Sequence, residues 1–203
     1  MLTFDENKTK ALLAYIASKV DVGKTKLMKL LYLIDFTAYE RTGKAITNDL
    51  YKHWALGPVP TKTWRGMRGN LIEGVLDVTH EERGAGTYMR YTPISVDVSS
   101  LSTEELKVVD EVIKEFGTMG QQELVDMLHR ELPYIVTGEN ELIPYFLAPY
   151  RNYEGFTKKE IGKIQKNKKY ISGLKKAFKE SQKSEYRAVV GGEIKNYSFV
   201  IGL

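Results

Sequence analysis

The sequence predicts an α+β protein that is mainly α-helical: a compact helical domain with a small β-hairpin, then a basic C-terminal helix and a terminal strand or hairpin. Three observations predict this fold class. Apolar residues recur at helical spacing over residues 5–20 and 24–42. Two strand-like stretches flank a turn that contains glycine. Two capping-box sequences mark the starts of later helices. At 203 residues with 42% hydrophobic content, the chain is long enough to bury a core.

The first two helices are defined by apolar stripes. The first is predicted over residues 5–20, and the second begins after Gly23 and ends at Gly43, where glycine suits the end of a helix. The second helix is apolar nearly all round, which predicts a place in the middle of the domain. Asp35 on this helix therefore needs partners, because a lone buried carboxylate is costly.

The stretch Gly23-Lys24-Thr25 has the ending of a phosphate-binding loop, but the pattern is incomplete. The first glycine of G-x-x-x-x-G-K-[ST] would fall at Ser18, inside the first predicted helix. Such a loop wraps its backbone amides around phosphates, which a helical residue cannot do. The sequence argues against a nucleotide site here, and no cofactor is predicted elsewhere.

The segment YKHWALGPVPTKTW contains both tryptophans of the chain. Pro58 and Pro60 fix their own φ and restrict the residues before them, which predicts a stiff extended corner. Pro60 then suits the first turn of the next helix, TKTWRGMRGNLIEG. Trp54 and Trp64 are expected to pack over the corner as a folding device.

The middle of the chain predicts a hairpin and a third helix. Residues 75–82 and 87–92 are typical of strands, and residues 83–86 form the turn between them. Ser102 and Glu105 have the spacing of a capping box, which opens a helix that continues to Gly117.

A further helix is predicted after Gly117, capped by Thr118 and running to about residue 131. Two helices joined by a short turn have the outline of a DNA-binding helix-turn-helix. The second helix, however, carries three carboxylates against one arginine: Glu123, Asp126 and Glu131 against Arg130. Carboxylates repel a polyanion, so an ordinary pair of packed helices is favoured.

Two stretches carry a family resemblance: KLMKLLYLIDFTAYERTGKAI with the later W-A-L-G-P-V, and QELVDMLHRELPY. They resemble the Panacea domain, the SocA-like antitoxin family of bacterial and phage toxin–antitoxin operons. The resemblance spans roughly residues 8–150; Asp35 and Phe36 depart from its pattern. We therefore predict a Panacea domain over residues 1–150 and a basic extension, specific to the partner, over residues 151–203. The matching positions are Lys26, Leu27, Lys29, Leu30, Leu31, Tyr32, Gly43, Lys44, Trp54, Gly57, Pro58, Val59, Leu124, Leu128, His129, Pro133 and Tyr134.

Composition limits the class of protein. The chain has no cysteine, which excludes disulfides and thiolate chemistry, and no long apolar run, so we expect a cytoplasmic protein with no membrane partner. Residues 1–150 carry 17 Lys and Arg against 21 Asp and Glu, whereas residues 151–203 carry 13 against 5. An acidic body with a basic tail indicates contact with phosphates or with acidic proteins, although a solvated lysine-rich helix has the same composition.

Catalytic patterns are missing from the sequence. His53, His80 and His129 share no metal-ligand spacing, and there is no G-x-S-x-G elbow. No acid–base group accompanies His53 locally. We therefore predict a protein that is not an enzyme, with no catalytic, cofactor-binding or metal-binding residues.

The tail predicts an amphipathic basic helix and a final hairpin. A capping box at Thr157 and Glu160 opens the helix, whose apolar stripe continues to Phe178, and residues 187–203 are typical of a hairpin. The tail either docks on the body or presents a surface to a partner. We predict four aromatic residues as partner contacts: Tyr170, Phe178, Tyr197 and Phe199.

The family resemblance implies an antitoxin that neutralises a cognate toxin, encoded nearby, by direct protein contact in a type II system. Two alternatives stay open: a nucleic-acid-binding, autoregulatory module acting through the basic tail, and a proteolytic adaptor for a partner protein. Several motif residues are predicted to be structural: Leu30, Leu31, Tyr32, Trp54, Gly57, Pro58, Val59, His129 and Pro133.

Overall fold

Helices and short strands alternate along the described part of the chain, residues 3–84, 86–152 and 154–184 of the computed structural model. The helices are α1 (Glu6–Lys19), α2 (Lys24–Thr42), α3 (Thr61–Gly66), α4 (Thr103–Phe116), α5 (Gln121–Leu128), α6 (Leu132–Ile135), α7 (Lys158–Lys166) and α8 (Lys168–Ser184), with a 3-10 helix at Tyr145–Tyr150. The strands are β1 (Tyr51–Trp54), β2 (Gly57–Pro60), β3 (Leu76–Arg83), β4 (Gly86–Pro93) and β5 (Leu142–Ile143). The predicted mainly helical α+β class is confirmed.

Helix α2 lies at the centre of the fold. Every residue from Leu27 to Ala38 is buried, and α2 contacts α1, α4, α5, β2, β4 and the 3-10 helix. A helix that is apolar nearly all round is stable only where other elements cover each of its sides. The predicted central position is therefore confirmed.

The ends of the long helices follow the capping signals of the sequence. Asp5 accepts a hydrogen bond from the backbone N–H of Lys8 at the start of α1. Ser102 and Glu105 form the predicted capping box of α4. Gly43 ends α2 with a φ of +72°, in the left-handed region that favours glycine.

Two antiparallel sheets complete the body. The first has the strand order β2-β1-β5, with Tyr51 opposite Pro60 and Trp54 opposite Gly57. The second is the predicted hairpin of β3 and β4. It contacts α1 as well as α2, so both sheets lie against the helical core.

The stiff extended segment predicted around Gly57–Pro60 is strand β2, and it pairs with β1 to form the β1–β2 hairpin, which was not predicted. Pro58 and Pro60 are two residues apart, so their nitrogens face the same side of β2. Among the described strands, none pairs with β2 on its outer side. Proline is tolerated on an edge strand because the missing N–H removes no ladder bond.

The boundaries of two helices, α3 and α5, also differ from the predictions. Helix α3 ends at Gly66 instead of continuing to residue 74, and Pro60 is its N-cap and not part of its first turn. A Cβ at Gly66 would lie 2.6 Å from Leu71 Cβ, so the chain turns back closely at this glycine. Gly120, not Thr118, is the N-cap of α5, and the Glu123 carboxylate accepts its N–H.

In its described part, up to residue 184, the basic tail forms two helices where one was predicted. Thr157 and Glu160 form the predicted capping box of α7. The helix is interrupted at Asn167, whose side chain accepts a hydrogen bond from the backbone N–H of Tyr170 in α8. Tail residues pack on a second, smaller apolar cluster. The predicted terminal hairpin lies outside the described residues. The second cluster contains Leu132, Val136 and Leu147, covered by Phe146, Phe156, Ile164, Tyr170 and Leu174.

Candidate partner-binding site

The residues shared with the Panacea pattern lie mostly inside the fold. Leu30 and Leu31 are fully buried in α2, and Val59 and Pro133 are buried in β2 and α6. Trp54 is half-buried at the end of β1. Most of these motif residues are therefore packed inside the fold, and the exposed ones are the candidates for contact with a partner.

Lys29 joins the β1–β2 hairpin to α2. Its side chain is fully buried, and Nζ donates a 2.8 Å hydrogen bond to the carbonyl oxygen of Pro58. Gly57 has a φ of +92°, and a Cβ there would lie 3.3 Å from Lys29 Nζ. Glycine is the residue that suits both the conformation and the approach. Burial lowers the pKa of Lys29 to about 7.

Two histidines stack on one tyrosine beside this hairpin. The ring centroids of His53 and Tyr134 are 3.6 Å apart, and those of His129 and Tyr134 are 4.5 Å apart. Tyr134 Oη donates a 2.9 Å hydrogen bond to the carbonyl oxygen of Trp54. Burial lowers the pKa of both histidines, and the nearby Lys29 lowers that of His129 further. Neutral, stacked imidazoles act here as packing groups that hold the end of β1.

Asp35 finds the partners that its burial requires. It accepts hydrogen bonds from the N–H groups of Ile46 and Thr47, each at 2.9 Å, from the Thr47 hydroxyl, and from Tyr51 Oη at 2.9 Å. Tyr145 Oη donates a 2.7 Å hydrogen bond to the carbonyl oxygen of Asp49 and lies 3.3 Å from the Asp35 carboxylate. Burial raises the pKa of Asp35, and these hydrogen bonds oppose the rise. One carboxylate thus joins α2, β1 and the 3-10 helix.

Asp49 performs a similar role for helix α3. Its carboxylate accepts the N–H groups of Lys62 at 3.0 Å and Thr63 at 2.7 Å, and the Thr63 hydroxyl at 2.7 Å. The N-cap residue Pro60 makes no side-chain hydrogen bond. Asp49 therefore satisfies the first turn of α3 from across the hairpin, and it fixes the helix that carries Trp64.

A third buried carboxylate lies at the start of α6. Glu131 is fully buried and accepts a 3.1 Å hydrogen bond from Tyr32 Oη. Burial raises the pKa of Glu131 to about 7, and the charge of Arg151 opposes the rise. Arg151 donates to Thr37 Oγ1 at 2.9 Å and lies 3.6 Å from Glu40. These contacts attach the chain after the 3-10 helix to α2.

Residues of the hairpin and of the two neighbouring helices form what we call the aromatic–basic surface: Lys24 at the start of α2, Trp54 and Leu56 in the hairpin, Trp64 in α3 and Arg68 after α3. The two indole rings meet edge to face, with centroids 5.5 Å apart and planes at 88°. Lys24 Nζ lies 3.8 Å from the centroid of Trp64, a cation–π contact. Leu56, in the turn after Trp54, is 54% exposed, and Arg68 is exposed after α3.

Charge on this surface is not neutralised within the described residues. Burial and the nearby Arg68 both lower the pKa of Lys24, so Lys24 has a neighbouring charge of the same sign. No carboxylate in the described ranges forms an ion pair with either residue. The surface thus combines apolar area with unpaired positive charge.

The tail aromatics predicted to contact a partner are only partly described. Tyr170 is half-buried against the second apolar cluster. The Phe178 side chain, Tyr197 and Phe199 lie outside the described residues. Lys175 Nζ pairs with Glu141 at 2.9 Å, with both side chains about half exposed. The described part of the tail is therefore docked on the body.

The described residues contain no group of three or more His, Asp or Glu side chains arranged to hold a metal ion. No described helix has the length and apolar character needed to cross a bilayer.

Sequence reasoning did not find Asp49, Arg68 or the pairing of Lys24 with Trp64. Asp49 is separated by 13 and 14 residues from its partners in α3, and no local spacing indicates such contacts. The only functional pattern in the sequence that includes Lys24 is the incomplete phosphate-binding loop. A signal was present in the concentration of lysine and arginine around Trp64, in TKTWRGMR.

Comparison with known proteins identifies the family. A family model described as "Antitoxin SocA-like, Panacea domain" matches residues 27–133, which extend from α2 to the start of α6. No curated protein and no solved structure matches the chain. The matched segment contains the buried motif residues and most of the aromatic–basic surface, and it covers more than half of the chain. The protein therefore belongs to the SocA-like antitoxin family that carries the Panacea domain.

Proposed function

We propose that this protein is an antitoxin that neutralises a cognate toxin by direct binding, in a type II system and without a catalytic step. The observation that carries the proposal is the family match over residues 27–133. The internal use of buried polar groups in the matched segment supports it: Lys29, Asp35 and Asp49 are bonded to the protein's own backbone or side chains. Side chains bonded in this way serve to stabilise a binding scaffold.

The experiment uses the product of a reading frame next to this gene whose expression alone stops growth. Co-expression of the antitoxin should restore growth, and the two purified proteins should elute together in size-exclusion chromatography. If the growth-arresting product is modified or degraded and no stable complex forms, neutralisation by binding is wrong. If no adjacent product arrests growth and is rescued, the antitoxin role itself is wrong.

We further propose that the basic tail contributes contacts to the partner, through Tyr170, Phe178, Tyr197 and Phe199. Two truncations separate this role from folding. Removal of residues 185–203 leaves the second apolar cluster covered, whereas removal from residue 156 uncovers it. If the variant that lacks residues 185–203 rescues growth as well as the wild type does, with an unchanged urea midpoint, a role for Tyr197 and Phe199 is excluded.

Nucleic-acid binding through the tail is a second candidate, favoured by the exposed lysines of α7 and α8. Phosphate contacts predict affinity for operator DNA that falls steeply with salt. Titration of the operator at two salt concentrations tests this role. An affinity for DNA that falls in proportion to the number of lysines replaced by glutamine would support nucleic-acid binding. An affinity that these replacements leave unchanged would exclude it. Those lysines are Lys158, Lys159, Lys163, Lys166, Lys168 and Lys169.

A further inference from the structure

We propose that the aromatic–basic surface binds an acidic segment of the partner protein that also carries an apolar anchor residue. This inference rests on the proposed function, since the partner is the toxin. It names the place on the antitoxin where contact is made and the chemistry that is recognised there.

The surface is rigid before any partner arrives. Strand β1 is hydrogen-bonded to β2 on one side and to β5 on the other, and Tyr134 holds the carbonyl oxygen of Trp54. Asp49 fixes the first turn of the helix that carries Trp64. A surface that is ordered in advance loses little conformational entropy on binding, and this favours affinity.

Charge indicates the chemistry of the occupant. Arg68 lies near Lys24 and lowers the pKa of that lysine, on a body, residues 1–150, in which acidic residues outnumber basic ones by 21 to 17. Two unpaired cations on an acidic body attract a segment of Asp or Glu from solution. Beside them, the half-exposed Trp54 and the exposed Leu56 offer apolar area to a side chain of that segment.

A single-stranded nucleic acid fits this surface less well. Base stacking requires an open aromatic face, but Lys24 covers a face of Trp64 at 3.8 Å, and the two indoles already meet edge to face. A carboxylate on a flexible side chain reaches Lys24 and Arg68 without using a ring face.

The test measures binding of the purified growth-arresting product by wild-type protein and by three variants: Lys24→Glu, Arg68→Glu and Leu56→Ser. Each charge reversal should weaken binding by about tenfold or more, and Leu56→Ser by about tenfold. Matched controls are Lys44→Glu and Leu50→Ser, since Lys44 is exposed and Leu50 is 46% exposed. Urea midpoints equal to that of the wild type exclude loss of fold as the cause.

A peptide array identifies the bound segment. Overlapping peptides from the toxin are made as encoded, and again with Asn and Gln in place of Asp and Glu. Binding should be lost on amidation, and replacement of the acidic residues by lysine should restore binding to Lys24→Glu or Arg68→Glu.

The outcomes separate this inference from the proposed function. Wild-type rescue together with unchanged affinity in all three variants overturns the surface while leaving the antitoxin role intact. Absence of rescue by the wild type overturns both. Binding of an oligo-dT strand that the same three substitutions abolish overturns the choice of an acidic protein segment.

Discussion

Lys29 Nζ lies 2.8 Å from the carbonyl oxygen of Pro58, with its side chain fully enclosed by the protein. An ammonium has three donors, and burial replaces its hydration with contacts that the protein supplies. The bond therefore fixes the hairpin on α2, while the charge itself opposes folding. This conflict makes the stability of the protein depend on pH.

Replacement of Lys29 by methionine should remove that dependence. A lysine in the unfolded chain keeps its proton to about pH 10, whereas the folded protein releases the proton of Lys29 near a pKa of about 7. Between these values the unfolded state binds more protons, so stability rises with pH. The free energy of unfolding of wild type relative to Lys29→Met should increase by about 2 kcal/mol from about pH 7 to about pH 9. Urea titrations measure it, and Lys44→Met is the exposed control; parallel curves for wild type and Lys29→Met would contradict the prediction.

Glu131 should show the opposite dependence. Its pKa is raised to about 7 by burial, so between about pH 4.5 and about pH 7 the folded state binds more protons than the unfolded state. Wild-type stability should fall as pH rises through this window, relative to Glu131→Gln, by about 3 kcal/mol. The exposed Glu73→Gln variant is the control for urea unfolding at each pH. A wild-type curve that follows the Glu131→Gln curve would show that the carboxyl is not perturbed.

Asp35→Asn should destabilise the protein by about 3 kcal/mol. The amide keeps one acceptor oxygen but places an N–H₂ group against hydroxyl and backbone donors, which leaves buried polar groups unpaired. Asp77 is exposed, so Asp77→Asn should change the free energy of unfolding by less than about 0.5 kcal/mol. Equal urea midpoints for the two variants would refute a role for Asp35 in joining α2 to β1.

Gly57→Ala tests the close approach of the hairpin to α2. Alanine is strained at a φ of +92°, and its Cβ would lie 3.3 Å from Lys29 Nζ. Gly74 also has a positive φ, of +69°, but nothing lies within 4 Å of a Cβ there. Gly57→Ala should lower the free energy of unfolding by about 1–3 kcal/mol, which is more than the loss expected for Gly74→Ala. Thermal or urea unfolding measures both losses. Equal losses would mean that backbone strain alone decides both.

Local signals predicted the elements whose determinants lie close together in sequence. The apolar stripe of α2, the Gly43 stop and the capping box at Ser102 each predicted a helix correctly, and the Thr157 capping box predicted the start of α7 but not its end at Lys166. The need of Asp35 for partners was also evident, although the partners themselves were not.

Elements that depend on distant residues were harder to predict. Strand β2 is almost entirely glycine and proline, GPVP, so it lacks the alternation that indicates a strand, and its pairing with β1 was missed. Asp49 accepts a hydrogen bond from Thr63, 14 residues away in sequence, and Arg151 donates one to Thr37, 114 residues away. No local sequence pattern indicates such contacts. The aromatic–basic surface was missed for the same reason: Lys24 and Trp64 meet only in the folded chain.

The two prolines of β2 also decide how a partner chain can approach the three-stranded sheet. Strand addition needs a continuous row of free N–H and C=O groups along an open edge. Pro58 and Pro60 remove the donors from one edge, and the other edge is the two-residue strand β5. The sheet is thereby protected against edge-to-edge aggregation, and any protein that docks on it has to be recognised through side chains instead of through shared backbone ladders.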